Sequence, residues 1–419
     1  MAGSVQADVE AQLELTVAPP SRALRTARGL LMALMVALMF SPPVSVALQV
    51  ALLVTFLGSA ELRSRFAGVC RQPMVIGLFA FYLMLAVAVP YSMAPLLDAT
   101  LMLSGWRKLL LLPAAAAVFD DPGAKRRLAL ALVIASVVGA LLSCVSLLMG
   151  VAFQSSEPVP GIVVRNHATQ GIFFAIGAFS AAALAQFGAF ARRDRILLGI
   201  AAALLVANIA FITFGRSGYV ALVACAVALA WFALTRRGRT MRWLPVGMLV
   251  AVVALLSTAP QVQQRVSQAV AEVSAFSDQE RVTEMGVRVY FWKNTLEMIG
   301  RRPWLGVGTD GFEHGYQQQV AGQTGLAGMG TSDPHNQFLK IAAEQGLIGL
   351  AVFLAFLGTV VFLQRPDPIY RVLALGVLLS WCATSMASSH FSTFSEGNFI
   401  FLWLGAMLSD PKSANRRGA

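Results

Sequence analysis

Charged residues are scarce in this chain of 419 amino acids. They make up 13% of the sequence, against roughly 25% in a typical soluble domain. Hydrophobic residues account for 57%, and the mean hydropathy is +0.69. This balance excludes an ordinary soluble domain and predicts an integral membrane protein. The net charge of +11 need not indicate nucleic-acid binding, because the positive-inside rule also enriches membrane proteins in basic residues.

Cysteines and cofactor motifs are also scarce. None of the four cysteines (Cys70, Cys144, Cys225 and Cys382) lies in the long polar connection 260–334, so neither a disulfide framework nor a zinc site is indicated. The sequence has no Walker motif, no dinucleotide fingerprint and no HExxH motif. Asp333 and His335 could touch a metal, but Asp333 is better used as a helix cap. We therefore expect metal-independent chemistry without a cofactor.

Apolar runs of membrane length are abundant, and strand-like alternation is lacking, which favours helices. A transmembrane helix needs about 20 mostly apolar residues. The sequence thus predicts an all-α polytopic membrane protein with about 12 transmembrane helices. The predicted spans are 26–41, 44–60, 74–91, 97–119, 127–151, 168–190, 196–214, 217–235, 243–259, 335–363, 371–388 and 397–410.

Lysine and arginine are missing from alternate connections, at 41–45, 90–96 and 388–396. The positive-inside rule then predicts cytoplasmic termini and an outer location for 260–334. The first apolar run follows Arg22, Arg25 and Arg28 and leads into further spans, so we expect a retained anchor. The predicted organisation is a disordered cytoplasmic tail (1–21), helices 1–9 (22–259), a periplasmic helical loop domain (260–334), helices 10–12 (335–410) and a cytoplasmic tail (411–419).

One histidine, His335, lies between a glycine-rich loop and an apolar run. The sequence predicts Asp333 as helix N-cap and Pro334 as the first helical residue, which places His335 in the first turn. The positive end of the helix dipole disfavours imidazolium there. A neutral histidine at a membrane boundary is a plausible proton acceptor. All four histidines, His167, His314, His335 and His390, fall on the predicted outer side.

Several cations break the positive-inside pattern. Arg216 opens the eighth span after a very short turn, and it is either an anion-binding residue or a snorkelling interfacial arginine. Arg107 and Lys108 lie about ten residues into the fourth span, where a charge costs about 2.5–3.5 kcal/mol. They face a wet cavity or a charged partner, unless the helix starts late. Arg165 precedes the sixth span and either joins the same site or lies in water.

The connection 260–334 is too long to be a simple loop. Apolar residues at helical spacing predict two amphipathic helices, one over Val262–Val273 and one over Met285–Ile299. Arg281 and Arg288 are seven residues apart and would share a face of a helix. The glycine-rich stretch 322–330 is either a mobile flap over a site or an inert linker.

The tenth span carries small residues and a charged pair near its start. Ala342, Gly346 and Gly349 lie on roughly one face, which predicts close helix packing. For Glu344, one turn after Lys340, a structural role is favoured over a functional one.

Four short motifs resemble the O-antigen ligase and polymerase superfamily. They are Arg288-Val289-Tyr290-Phe291-Trp292, Pro303-Trp304-Leu305-Gly306-Val307-Gly308, Pro334-His335-Asn336 and Glu344-Gln345-Gly346-Leu347-Ile348-Gly349. Arg216 within Gly215-Arg216-Ser217-Gly218 matches as well. The span count and the large outer loop extend the resemblance over most of the chain.

The resemblance implies a glycosyltransferase whose donor is a glycan on undecaprenyl diphosphate and whose acceptor is the outer sugar of lipid A–core. It implies His335 as general base, with Arg216 and Arg288 on the diphosphate; Arg107 and Arg165 are further candidates. Direct attack at the anomeric carbon would invert its configuration. We expect a ligase, with an O-antigen polymerase or a protein O-oligosaccharyltransferase as alternatives. The last is typical of longer chains with an added soluble domain.

A secondary transporter is the alternative from another class. Twelve spans with both ends inside would fit one. However, the long connection falls between the ninth and tenth spans, and the sequence shows no obvious internal repeat.

Overall fold

The computed structural model describes residues 20–154, 157–235, 244–258, 263–264, 267 and 284–409. Over these residues the chain is helical and contains no strand. The helices are α1 (Arg22–Phe40), α2 (Pro42–Gly58), α3 (Ala60–Val69), α4 (Pro73–Val87), α5 (Leu96–Gly105), α6 (Leu111–Val118), α7 (Pro122–Met149), α8 (His167–Phe187), α9 (Arg192–Phe211), α10 (Arg216–Thr235), α11 (Leu244–Thr258), α12 (Glu284–Arg301), α13 (Phe312–Val320), α14 (Gln337–Gly358), α15 (Pro368–Thr384) and α16 (Phe394–Leu408).

The apolar helices make this a polytopic membrane protein, as predicted. Among the described residues, seven helical segments are long and apolar enough to cross a membrane alone. Helices α2 and α3 form a further span only as a pair, bent by 99°. Four more apolar helices are shorter: α4, the end of α11, α15 and α16. Together these segments occupy the positions of the predicted spans, although the shorter ones do not reach full membrane length alone.

Local sequence signals explain where several helices begin and end. Ser21 caps α1 by accepting a hydrogen bond from the Leu24 amide at 3.1 Å. Asp121 caps α7 through the Ala124 amide at 2.8 Å, and Pro122 takes the first helical position. Gly150 ends α7 in the left-handed conformation.

The helix bundle has two ends, and we name each end after a residue that lies there. α15 begins where the Tyr370 hydroxyl donates to the Pro122 carbonyl at the start of α7. α16 ends where Ser409 donates to the Phe119 carbonyl. We call this the Arg28 end, since Arg28 bonds to neighbouring Asp120 there. α15 finishes, and α14 and α16 begin, at the other end, called the His335 end.

Helix α8 lies at the centre of the bundle and is buried along most of its length. It contacts α9 and α10 closely. Gly171 on α8 and Gly218 on α10 face each other so tightly that a Cβ on Gly171 would lie 2.7 Å from the Gly218 Cα. Small residues therefore set the distance between these helices.

A second, smaller core lies beside the bundle at the His335 end. Phe291 of α12 packs edge-to-face on Tyr316 of α13, with ring centroids 5.9 Å apart. Val307 and Ala343 belong to the same buried cluster, which joins this small core to α14. The predicted amphipathic helix over 285–299 is thus present as α12. The one predicted over 262–273 lies largely outside the described residues.

Candidate functional site

His335 does not lie in the first turn of a helix, so that prediction was wrong. α14 begins at Gln337, and Asn336 is its N-cap, accepting from the amides of Phe338 (3.0 Å) and Leu339 (3.1 Å). The Gln337 amide donates to the carbonyls of Ser385 and Ser388, which fixes the helix start. Asparagine is also a favoured N-cap residue, and the docking of the Gln337 amide selects Asn336 over Asp333.

Asp333 instead holds the backbone of His335. Its Oδ1 accepts from the His335 amide at 2.7 Å and from the Ser389 hydroxyl at 2.8 Å. Its Oδ2 lies 3.6 Å from Lys340 Nζ. His335 has a φ of +54°, a left-handed conformation that is uncommon for a residue with a side chain. The Asp333 carboxylate thus stabilises a strained backbone at the candidate catalytic residue.

The His335 ring lies in a half-buried aromatic environment. It stacks on Phe291 with centroids 6.2 Å apart, and Trp292 Nε1 donates to the Pro334 carbonyl at 2.9 Å. Burial lowers the pKa of His335 below its usual 6.5; Asp333 opposes this shift, and the positive charges of Arg288 and Lys340 add to it. His335 is therefore mainly neutral near pH 7, the form that can accept a proton.

Arg288 lies on the same side as His335. It is on α12, one turn before Phe291, and its guanidinium donates to the Ala387 carbonyl at 3.4 Å. Its positive charge lowers the pKa of His335. The structure therefore brings together two of the residues that the sequence nominates.

A stretch that runs from the end of α15 into the first turn of α16, residues 385–396, joins the two sides of the site; we call it the polar segment. On the His335 side, Ser392 contacts the Gln337 amide group through Oγ at 2.9 Å, and Asn336 donates to the Met386 carbonyl at 3.0 Å. The buried Lys108 donates to the carbonyls of Ser392 and Thr393. The polar segment thus anchors α14 and a buried cation of the fourth span.

On its other side, the polar segment contacts the start of α8. Arg165, at φ +34°, donates to the Ser395 hydroxyl at 2.8 Å. Thr169 donates to the buried Glu396 carboxylate at 2.5 Å. Arg165 is therefore held beside the polar segment by a direct bond, rather than lying free in water.

Arg216 begins α10 on this second side, where it is partly buried. The preceding Gly215 packs directly against the carbonyl and ring of His167. His167 in turn contacts Glu157 through Nδ1 at 2.6 Å. Because His167 starts the same helix that Arg165 precedes, Arg216 and Arg165 lie on one side of the site.

Within the part of the chain that the structure describes, no hydrogen bond or ion pair links Arg107 to these residues. It is exposed and donates to Ser104, one turn earlier, through the carbonyl (3.4 Å) and hydroxyl (3.3 Å). Its neighbour Lys108 points the other way and is buried, because the helix tightens to a 3-10 turn over Trp106–Leu110. Of this pair, Lys108 is the residue that reaches the polar segment.

The motif Pro303–Gly308 supplies backbone hydrogen-bond partners to α14 where that helix is interrupted. Gly346 has a φ of +69° and interrupts the helix. The amides of Val307 and Gly308 donate to the carbonyls of Ala343 (2.9 Å) and Glu344 (2.7 Å), and the Leu347 amide donates to the Pro303 carbonyl (2.7 Å). A Cβ at Gly346 would collide with the Trp304 carbonyl. Gly346 was predicted as a small packing residue, but its main role here is conformational.

Two residues of the polar segment are buried, although the sequence placed His390 only on the outer side and indicated no role for Glu396. His390 is 4% exposed, and Glu396 is 5% exposed. Burial lowers the pKa of His390, although Glu396 and Asp333 act in the opposite direction. The signal that could have found them is composition, since 385–396 is rich in serine yet was treated as a plain outer connection.

Comparison with known proteins gives a match to one family. Residues 200–354 match the family model described as O-antigen ligase. The match supports membership of the O-antigen ligase superfamily. The matched stretch contains Arg216, Arg288, His335 and Gly346, whereas Arg107 and Arg165 lie outside it. Members of this family are glycosyltransferase-like enzymes.

An uncharacterized protein of Haemophilus influenzae is 24% identical over 225 residues, which are 52% of this chain and 55% of that protein. The match therefore spans about half the length of this curated relative. Such partial coverage leaves activity, substrates and partners to be argued from the site.

Proposed function

We propose that this protein is an O-antigen ligase that transfers a glycan from undecaprenyl diphosphate to the outer sugar of lipid A–core. The observation that carries the proposal is His335, whose left-handed backbone is held by Asp333, with Arg288 on the same side. A base and a cation in one site match the two needs of this reaction, a hydroxyl to deprotonate and a diphosphate to release.

The reaction would proceed by direct displacement. The acceptor hydroxyl oxygen attacks the anomeric carbon and gives its proton to His335. The bond from that carbon to the diphosphate oxygen breaks, and the leaving diphosphate keeps the electron pair. Attack from the opposite face inverts the configuration. No metal or nucleotide enters this scheme.

The arginines supply charge for the leaving group. Arg288 lies on the His335 side, while Arg165 and Arg216 lie across the polar segment. A guanidinium offers a fork of donors that matches phosphate oxygens. Of the candidate diphosphate ligands, Arg107 has the weakest support, because its side chain is exposed and bonds to Ser104.

The distribution of basic residues supports an orientation in which the His335 end faces the periplasm and both termini face the cytoplasm. In that orientation the region 260–334 is a periplasmic domain of an inner-membrane protein. A cysteine placed at Gly325 should react with a membrane-impermeant thiol reagent added from the periplasmic side. Labelling only from the cytoplasmic side would contradict this orientation.

Transfer by purified protein tests the reaction itself. The protein is given undecaprenyl-diphosphate glycan with lipid A–core, with and without EDTA, and we expect glycosylated lipid A–core in both cases. Loss of product with EDTA would refute the metal-free scheme. Growth of the glycan on its own lipid carrier without lipid A–core would identify a polymerase, and transfer to a peptide would identify a protein O-oligosaccharyltransferase. Movement of the lipid-linked glycan across the membrane without any transfer would identify a transporter.

A further inference from the structure

A cavity of about 270 Å³ opens at the Arg28 end, far from His335 along the helices. Arg25 and Arg28 from α1 and Arg127 from α7 line it, together with the apolar side chains of Pro20 and Met32. Two chemically different surfaces therefore meet in one cavity, one cationic and one apolar.

Arg28 is held in the wall of this cavity by ion pairs and a backbone hydrogen bond. It is buried, and its guanidinium contacts Asp120 at 2.7 Å, Asp121 at 2.6 Å and the Val118 carbonyl at 2.9 Å. Asp120 also pairs with Arg65 at 2.6 Å. The two carboxylates are thus already neutralised by Arg28 and Arg65, and they fix one wall of the cavity.

Arg25 and Arg127 are left with uncompensated charge. Both are exposed, and neither forms a salt bridge within the part of the chain that the structure describes. They approach the cavity from different helices, so an anion placed between them could be held from two sides. Charge-assisted bonds from guanidinium to phosphate oxygens are among the stronger hydrogen bonds in proteins.

The apolar surface and the position in the fold indicate which anion fits. The cavity lies where membrane-crossing helices end, and its volume is below the roughly 300–1,000 Å³ of pockets for drug-sized ligands. It therefore suits a headgroup rather than a whole lipid. We propose that this cavity binds the phosphate-bearing headgroup of an anionic lipid, with Arg25 and Arg127 on the phosphate and Pro20 and Met32 beside the glycerol and upper acyl chain.

Lipid retention by the full-length protein tests this site. Native mass spectrometry is used to measure binding of phosphatidylglycerol and phosphatidylcholine from mixed micelles. We expect preference for phosphatidylglycerol, and about a tenfold or greater loss of that binding in the double variant Arg25→Gln, Arg127→Gln. The matched control is Arg192→Gln, Arg193→Gln, which removes two exposed arginines that do not line the cavity.

Each outcome has a definite meaning. Equal binding of both lipids, or an equal loss in the control, would overturn the proposal, because the attraction would then be general surface charge. Displacement of phosphatidylglycerol by millimolar inorganic phosphate would assign the same site to a soluble phosphate, and resistance to it would assign the site to the lipid. Unchanged thermal unfolding checks that the variants fold, and Arg127→Gln alone should show an intermediate loss. The readout is independent of glycosyl transfer.

Discussion

The His335 side and the Arg216 side of the candidate site hold their functional groups on different kinds of backbone. On the first side, His335 has a φ of +54° and Gly346 interrupts a helix at +69°. On the second, Arg165 also has a positive φ, of +34°, but Arg216 opens a regular helix that packs on its neighbour through Gly171 and Gly218.

The difference suggests that the two sides have different roles in the reaction. A base must be aimed at one atom of the substrate, and a strained, over-determined backbone restricts where its ring can point. A phosphate-binding arginine acts over a wider range of positions, so the start of a helix is sufficient support. The comparison predicts that changes on the first side affect the chemical step most, whereas changes on the second affect substrate binding.

The largest effect is expected for His335→Ala. Loss of a general base should reduce kcat about 10²–10⁴-fold, because His335 is the group proposed to take the proton of the acceptor hydroxyl. The measurement is single-turnover transfer from the lipid-linked donor. His314→Gln is the matched control, a histidine on α13 outside the candidate site. Full activity in a folded His335→Ala protein would contradict the general-base role.

Removing the arginines should have the next largest effect. The kinetic constants that change should differ between the His335 side and the Arg216 side. Arg288→Gln is expected to lower kcat about 10²-fold or more, since it takes charge from beside the base as the diphosphate leaves. Arg216→Gln should raise KM for the donor in addition to lowering kcat. Arg301→Gln, at the exposed end of α12, is the control and should change little. Similar effects at all three positions would mean that the arginines act only through structure.

The strained backbone of the first side can be tested through stability. Gly346→Ala should destabilise the protein by about 1–3 kcal/mol or more, because the residue has a positive φ and a Cβ would meet the Trp304 carbonyl. Thermal unfolding in detergent measures the loss. Gly358→Ala is the control, since a Cβ there meets nothing within 4 Å. Equal unfolding temperatures for the two variants would show that the helix break is not required.

Much of the membrane fold could be predicted from the sequence, because a run of apolar residues long enough to cross a membrane has few alternatives. The start of α14 could not, since Asp333 and Asn336 are both good N-caps and a distant contact of Gln337 decides between them. Similarly, the serine-rich composition of the polar segment marks it as unusual but does not show which residues it contacts. Its importance arises from bonds to Asp333, Arg165 and Lys108, which are remote in sequence.

The smallest effect expected on the His335 side is a shift in the pH dependence of transfer. A protonated His335 cannot act as base, so kcat should fall as the pH drops through the pKa of His335, which burial places below 6.5. Asp333 raises that pKa, and Asp333→Asn keeps an oxygen to accept from the His335 amide while removing the charge. The acidic limb of the pH profile should therefore move to lower pH in Asp333→Asn.

Arg288→Gln provides the opposite shift. Because the charge of Arg288 lowers the pKa of His335, its removal should move the same limb to higher pH, whatever the loss in kcat. A purely structural role for Asp333 would lower kcat at every pH without moving the limb. Shifts of opposite sign in the two variants would identify His335 as the titrating group, since Asp333 and Arg288 act on its pKa in opposite directions.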